Sequence, residues 1–115
     1  MTVKQIVAKV IYLNNLRNKG ALQGSEYHET VFDDGVWRID LELWVMSGQV
    51  RWWILREDKY ESVQSSLFTM YRMPDTNELR YAADFPIKKS IVNKMLSIYK
   101  LLEKNGIELQ RFPIV

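Results

Sequence analysis

Residues 36–46 read VWRIDLELWVM, and this stretch decides the fold. Trp37, Ile39, Leu41, Leu43 and Val45 alternate with Arg38, Asp40, Glu42 and Trp44. A period of two marks a strand with one apolar face and one polar or aromatic face. Ser47-Gly48 follows, a dipeptide suited to a two-residue turn because glycine accepts positive φ. Such a turn pairs Met46 with Gln49 in a second strand and fixes all the other partners. On the inner face Val45 then meets Val50, Leu43 meets Trp52, and Leu41 meets Ile54. On the outer face Trp44 meets Arg51, Glu42 meets Trp53, Asp40 meets Leu55, and Arg38 meets Glu57. Apolar inner pairs and complementary outer pairs both favour the hairpin.

Working outward, residues 26–32 form the preceding strand, joined through Asp33-Asp34-Gly35. A three-residue loop with Gly35 left-handed sets Val31 over Trp37 and His28 beside Asp40, and avoids facing Glu29 with Asp40. Residues 57–64 read as a polar connection. Residues 66–73 and 78–84 make another hairpin around Pro74-Asp75-Thr76-Asn77, with Met73 opposite Glu78. That register puts Phe68, Met70, Leu79, Tyr81 and Ala83 on one face, and Leu67, Tyr71, Met73 and Arg80 on the other.

Two amphipathic segments flank the strands. Val3, Ile6, Val7, Val10, Leu13 and Leu16 recur at helical spacing over residues 3–17. Thr2 with Gln5 forms a capping box, and Gly20 supplies the stop. A second helix over residues 86–104 carries the stripe Ile87, Ile91, Met95, Ile98 and Leu102. Pro86 suits its first position, and Lys100 and Lys104 suit its C-terminus. Residues 107–112 read as a final short strand. The expected fold is α+β: a single domain over residues 1–115, an antiparallel meander of about five strands with an N-terminal and a C-terminal helix packed on one face.

Composition narrows the chemistry. The chain has 115 residues, 47% hydrophobic and 26% charged, which fits one globular domain. It has no cysteine, so disulfides, cysteine-based zinc sites, iron–sulfur clusters and thiol nucleophiles are excluded. His28 is the single histidine, so a multi-histidine metal centre is excluded too. No apolar run is long enough to span a membrane, and the N-terminus lacks the apolar core of a secretory signal. The expected protein is soluble and cytoplasmic, with no cofactor, no metal and no membrane partner. The net charge is +2. Residues 1–24 carry four bases and no acid, residues 25–85 carry 12 acids against 6 bases, and residues 86–115 carry 6 bases against 2 acids. Basic helices around an acidic sheet follow from that partition.

With both helices on the Trp37/Leu41/Trp52/Ile54 face, the other face is open. It presents Trp44, Trp53, Arg51, Arg38, Leu55, Tyr71, Arg80, Asp40 and Glu42, with Leu67 and Met73 alongside. Large aromatics and arginines on adjacent strands mark an interface, because these residue types dominate binding energy. The expected function is non-catalytic binding through this face, to a protein partner or to a second copy in a homodimer. Single-stranded DNA or RNA is the alternative partner, with Trp44 and Tyr71 as stacking platforms beside Arg51 and Arg80. The acids of the same face oppose phosphate. Lys88, Lys89, Lys94, Lys100 and Lys104 read as a solvated helix face. A second alternative is a metal-independent ribonuclease-type toxin using His28 as a base polarised by Asp40. No serine stands in a nucleophile motif, and Gly20 to Gly24 lacks the phosphate-loop lysine. The architecture is similar to that of small phage, immunity and toxin–antitoxin proteins. That likeness is one of architecture alone and implies an inhibitor or a neutralising protein.

Overall fold

The structure, a computed structural model, describes residues 1–57 and 63–107. The elements run α1 (Val3–Asn18), β1 (Glu26–Asp33), β2 (Trp37–Trp44), β3 (Gln49–Glu57), β4 (Val63–Arg72), β5 (Leu79–Ala82) and α2 (Lys89–Lys104). The strands form one antiparallel sheet in chain order, as a meander does. Both helices lie on the same side of it. One core cluster joins Ile6, Val7, Val10 and Leu13 of α1 and Ile91, Met95, Ile98 and Leu102 of α2 to the inner residues of the sheet. Ile39, Leu41, Leu43, Trp52, Ile54, Phe68 and Met70 are all at most 2% exposed.

Local chemistry explains each helix boundary. Thr2 Oγ1 accepts from Gln5 N–H, and Gln5 Oε1 accepts from Thr2 N–H, which completes the capping box of α1. Gly20 takes φ +67° just past its end. α2 starts later than the proline predicts. Pro86 and Ile87 precede it, and Lys88 occupies the cap position with extended backbone. Fixed proline φ is compatible with a helix start without imposing one. The strand expected over residues 107–112 falls almost wholly outside the described residues.

Ion pairs tie the layers together. Arg72 donates to both carboxylate oxygens of Glu103, at 3.0 and 2.8 Å, joining β4 to α2. This forked contact raises the Arg72 pKa, chiefly through its hydrogen bonds to Glu103. Lys9 of α1 sits 3.4 Å from Glu29 and over the Tyr27 ring on β1. Buried Ser66 is satisfied on both sides: its hydroxyl accepts from Asp84 N–H and donates to Leu67 C=O.

Both N-terminal hairpins depart from the expected register, β2–β3 by two residues throughout and β1–β2 by two as far as Thr30 and by three past its irregularity. In the β2–β3 pair Trp44 faces Gln49, Glu42 faces Arg51, Asp40 faces Trp53, and Arg38 faces Leu55. The loop therefore holds four residues, Val45 to Gly48, in place of Ser47-Gly48 alone. Arg17 of α1 is the reason. Its Nε donates to Val45 C=O at 2.7 Å and its Nη2 to Met46 C=O at 3.3 Å, so the Met46 carbonyl that a tighter hairpin needs for its ladder belongs to the helix. Val45 N–H also leaves β3, donating to Ser25 C=O.

In the β1–β2 pair His28 faces Glu42 and Thr30 faces Asp40, and an irregularity between Thr30 and Phe32 carries Val31 into the core. The Asp33-Asp34-Gly35 loop is displaced because Asp34 bonds across it. Its N–H donates to Trp37 C=O, while its carboxylate accepts from the N–H of Val36 and Trp37. The β4–β5 register agrees with expectation: Tyr71 faces Arg80, and Met73 N–H donates to Glu78 C=O.

A gap divides the sheet. β3 and β4 pair from Glu57↔Val63 to Trp52↔Phe68. Past that point they diverge around a cavity of about 640 Å³ lined by Val50, Arg51, Thr69, Met70, Tyr99 and Ile107, among others.

Candidate functional site: the open sheet face

The face away from the helices is built by the period of two. Arg38, Asp40, Glu42 and Trp44 leave β2 on this side, while Arg51, Trp53 and Leu55 leave β3 beside them. Leu67 adds to Trp53 from β4. None of these residues belongs to the core cluster. Tyr71 and Arg80 face the same way, but they sit on the paired ends of β4 and β5, past the point where β3 diverges. The nine expected residues thus share one face and form two groups. Seven surround the β2–β3 hairpin, and Tyr71 with Arg80 form a separate pair.

Trp44 is 43% exposed, the most open large aromatic of the hairpin. Its indole N–H donates to Glu42 Oε1, and the Arg51 guanidinium lies 5.0 Å from its ring centroid. Arg51 also donates to Gln49 Oε1. The Trp44–Arg51 contact survives the change of register because diagonal neighbours on a sheet stay within reach of long side chains. Trp44 is therefore an exposed ring fixed from two sides.

The two acids of β2 are buried, at 5% for Asp40 and 8% for Glu42. They face the open side, so the sheet's own side chains cover them. Asp40 accepts from Thr30 Oγ1 at 2.7 Å and from Arg38 Nη2 at 3.3 Å. Arg38 Nε stands 3.2 Å from Asp40 Oδ1 without hydrogen-bond alignment. His28 Nε2 lies 3.2 Å from Asp40 Oδ2, which keeps the expected contact although His28 faces Glu42 across the ladder. A buried carboxylate is tolerable only with such partners. The expectation of Asp40 beside Leu55 and Glu42 beside Trp53 is replaced by Asp40 beside Trp53 and Glu42 beside Arg51.

Each arginine of the face already has a partner. Arg38 pairs with Asp40, Arg80 with Glu78 at 3.0 Å, and Arg51 with Trp44 and Gln49. The carboxylate of Glu78 raises the Arg80 pKa, first through their hydrogen bond and then through charge. A phosphate at any of these positions would displace an existing contact. The helix lysines lie on the other side of the molecule, with Lys94 4.4 Å from the Phe32 ring centroid.

Sequence reasoning missed one grouping. Glu26, His28 and Glu42 bring a ligand atom each to within 4.8 Å of one another. The expected register, with His28 level with Asp40, sets Glu26 opposite Glu42; in the structure His28 takes that place opposite Glu42. The signal for the grouping was the outward alternation of Glu26 and His28 opposite an outward acid, and it is present in the expected register as well as in the observed one. Among the described residues no helix is long and apolar enough to cross a membrane. Comparison of the chain with protein-family models, with curated proteins and with solved structures gives no match.

Proposed function

We propose that this chain is a non-catalytic binding protein that docks a protein surface through its open sheet face, with a second copy of itself as the simplest partner. The observation that carries the reading is Trp44: a large aromatic, 43% exposed, held in one orientation by Glu42 and Arg51 on a face that neither helix covers. Rings held in this way bind with little entropic cost, and Trp and Arg are the residues that dominate protein interfaces. Arginine and carboxylate side by side on one surface are self-complementary under a two-fold axis. Arg38, Arg51 and Glu78 at its rim would set register against the partner more than they would add affinity.

Magnitude constrains the mode. Five strands about 4.8 Å apart and eight residues long present a face of about 600 Å². Two such faces stacked bury about 1,200 Å², the lower end for a specific complex. The reading is therefore of a weak, reversible homodimer or an inhibitor-like contact, in preference to an obligate assembly. Protein is favoured over nucleic acid because every arginine of the face is already engaged and two buried acids lie beneath it.

Sedimentation of the chain across a range of micromolar concentrations tests the proposal. Self-association, weakened at least tenfold by Trp44→Ala with an unchanged far-UV circular dichroism spectrum, is the expected result. A chain that stays monomeric at all concentrations overturns the homodimer. Salt-sensitive binding of a mixed single-stranded oligonucleotide, lost in the same variant, would replace the proposal with the nucleic-acid reading.

A further inference from the structure

We propose that Glu26, His28 and Glu42 form a binding site for a divalent transition-metal ion of the zinc class, on the β1 side of the open face. The three side chains project from two adjacent strands. Glu26 and His28 alternate outward on β1, and His28 faces Glu42 across the β1–β2 ladder. Their ligand atoms lie within 4.8 Å of one another. Around a tetrahedral ion at about 2.1 Å, ligand atoms stand about 3.4 Å apart, so closure requires a shift of about 1.4 Å. Glu26 and His28 are exposed and Glu42 is buried, which gives the set one fixed ligand and two adjustable ones.

The donor set selects the ion. One imidazole and two carboxylates suit borderline cations such as zinc better than calcium or magnesium, which prefer oxygen alone. Glu26, Glu42 and Asp40 place three carboxylates around this imidazole, against Arg38 on Asp40 and Arg51 across the ladder from Glu42. Asp40, 3.2 Å from His28 Nε2, supplies the carboxylate partner that commonly orients a metal-binding histidine. In the tautomer that donates Nε2–H to Asp40, Nδ1 carries the lone pair that an ion needs. β1 is an edge strand of the sheet, so the approach to the three ligands is open along that edge. The exclusion of multi-histidine centres is untouched by a site with one histidine and two acids. The site stands independently of the docking role, since its ligands bind an ion in the monomer.

The glutamate that would bind the ion also accepts the Trp44 indole N–H, so metal binding is reported by a neighbouring fluorophore. His28 is the only histidine, and its imidazole gives a single, unambiguous set of magnetic-resonance signals. The experiment is a zinc titration of the untagged chain, followed by His28 imidazole resonances and by calorimetry. Saturation at one ion per chain with displaced imidazole signals is the expected result. Glu26→Gln, at an exposed position, should weaken binding at least tenfold without altering the thermal melt. His28→Ala should weaken it at least as much, with a lower melt because buried Asp40 loses one of its partners. Asp33→Asn, which removes an acid elsewhere on β1, should leave binding unchanged. Imidazole signals that stay put at saturating zinc, or a His28→Ala variant that binds as tightly as the parent, overturn the site.

Discussion

Trp52 and Trp53 are consecutive in β3 and face opposite ways. Trp52 is 1% exposed, its ring 6.5 Å from that of Tyr99 on α2. Trp53 is half-buried between Asp40 and Leu67 on the open side, outside the core cluster. The two faces therefore keep their indoles in place by different means. Beneath the helices, removal from water does the work; on the open face, neighbouring side chains do. Burial on the helix side also raises the Tyr99 pKa far above the ordinary phenol value.

Substitution of the two tryptophans is the most direct way to break this contrast. Trp52→Ala should cost about 3–5 kcal/mol, the range for emptying a buried aromatic site. Trp53→Ala should cost about 1–2 kcal/mol, because that ring is only partly removed from water by the side chains around it. Urea unfolding followed by circular dichroism measures both. Equal losses would make the open face a second core and remove the exposed surface on which docking depends.

What the sequence reveals about this architecture follows from the same contrast. Which face a strand residue occupies depends only on odd or even position, so the inner set Trp37, Ile39, Leu41, Leu43, Trp52 and Ile54 is readable from alternation. Who sits opposite whom depends on the turns. The β2–β3 hairpin is displaced by two residues, and so is β1–β2 as far as Thr30. An even displacement preserves the face while changing the partner. Past the irregularity the β1–β2 displacement is three, and Phe32 joins Val31 on the helix side. The displacement is set by groups that local patterns do not contain. Arg17, 28 residues before Val45, takes the loop carbonyl, and the Asp34 carboxylate takes two backbone N–H groups. By contrast, the β4–β5 turn is decided within its own residues, and there the expected register agrees. The candidate face was legible in the same way. Its membership follows from alternation, and so does the adjacency of Glu26, His28 and Glu42, but the partners that surround buried Asp40 and Glu42 follow from register.

The control exerted by Arg17 can be sharpened at Gly48. This glycine has φ +70°, and a Cβ there would lie 2.5 Å from the Arg17 guanidinium carbon. Gly48→Ala should cost about 1–2 kcal/mol from backbone strain alone. Displacement of the guanidinium from Val45 C=O adds to that loss. In an Arg17→Met background, where the guanidinium is already gone, the Gly48→Ala cost should fall toward the strain value. A double-mutant cycle on denaturation midpoints reads this coupling. Strict additivity would mean that the loop holds its four-residue form without the helix.

The smallest effect is expected at the other turn. The Asp34 carboxylate is held below its usual pKa of 3.8, first by the Trp37 N–H and then by the Val36 N–H. A group whose folded pKa lies below its unfolded value stabilises the fold in full above the unfolded value. That stabilisation disappears as pH falls through the folded value. Asp34→Asn cannot ionise, so its stability lacks this component at every pH. The parent should exceed the variant at neutral pH by at most about 1 kcal/mol, because the carboxylate is open to water and its field is screened. Below pH 3.8 the two should converge as the parent's carboxyl takes up its proton. Urea unfolding of both proteins at neutral pH and in strong acid measures the difference, and other carboxylates cancel between them. A gap that persists undiminished in acid would assign the turn to uncharged hydrogen bonds, leaving the charge of Arg17, among the described residues, to displace the β2–β3 register alone.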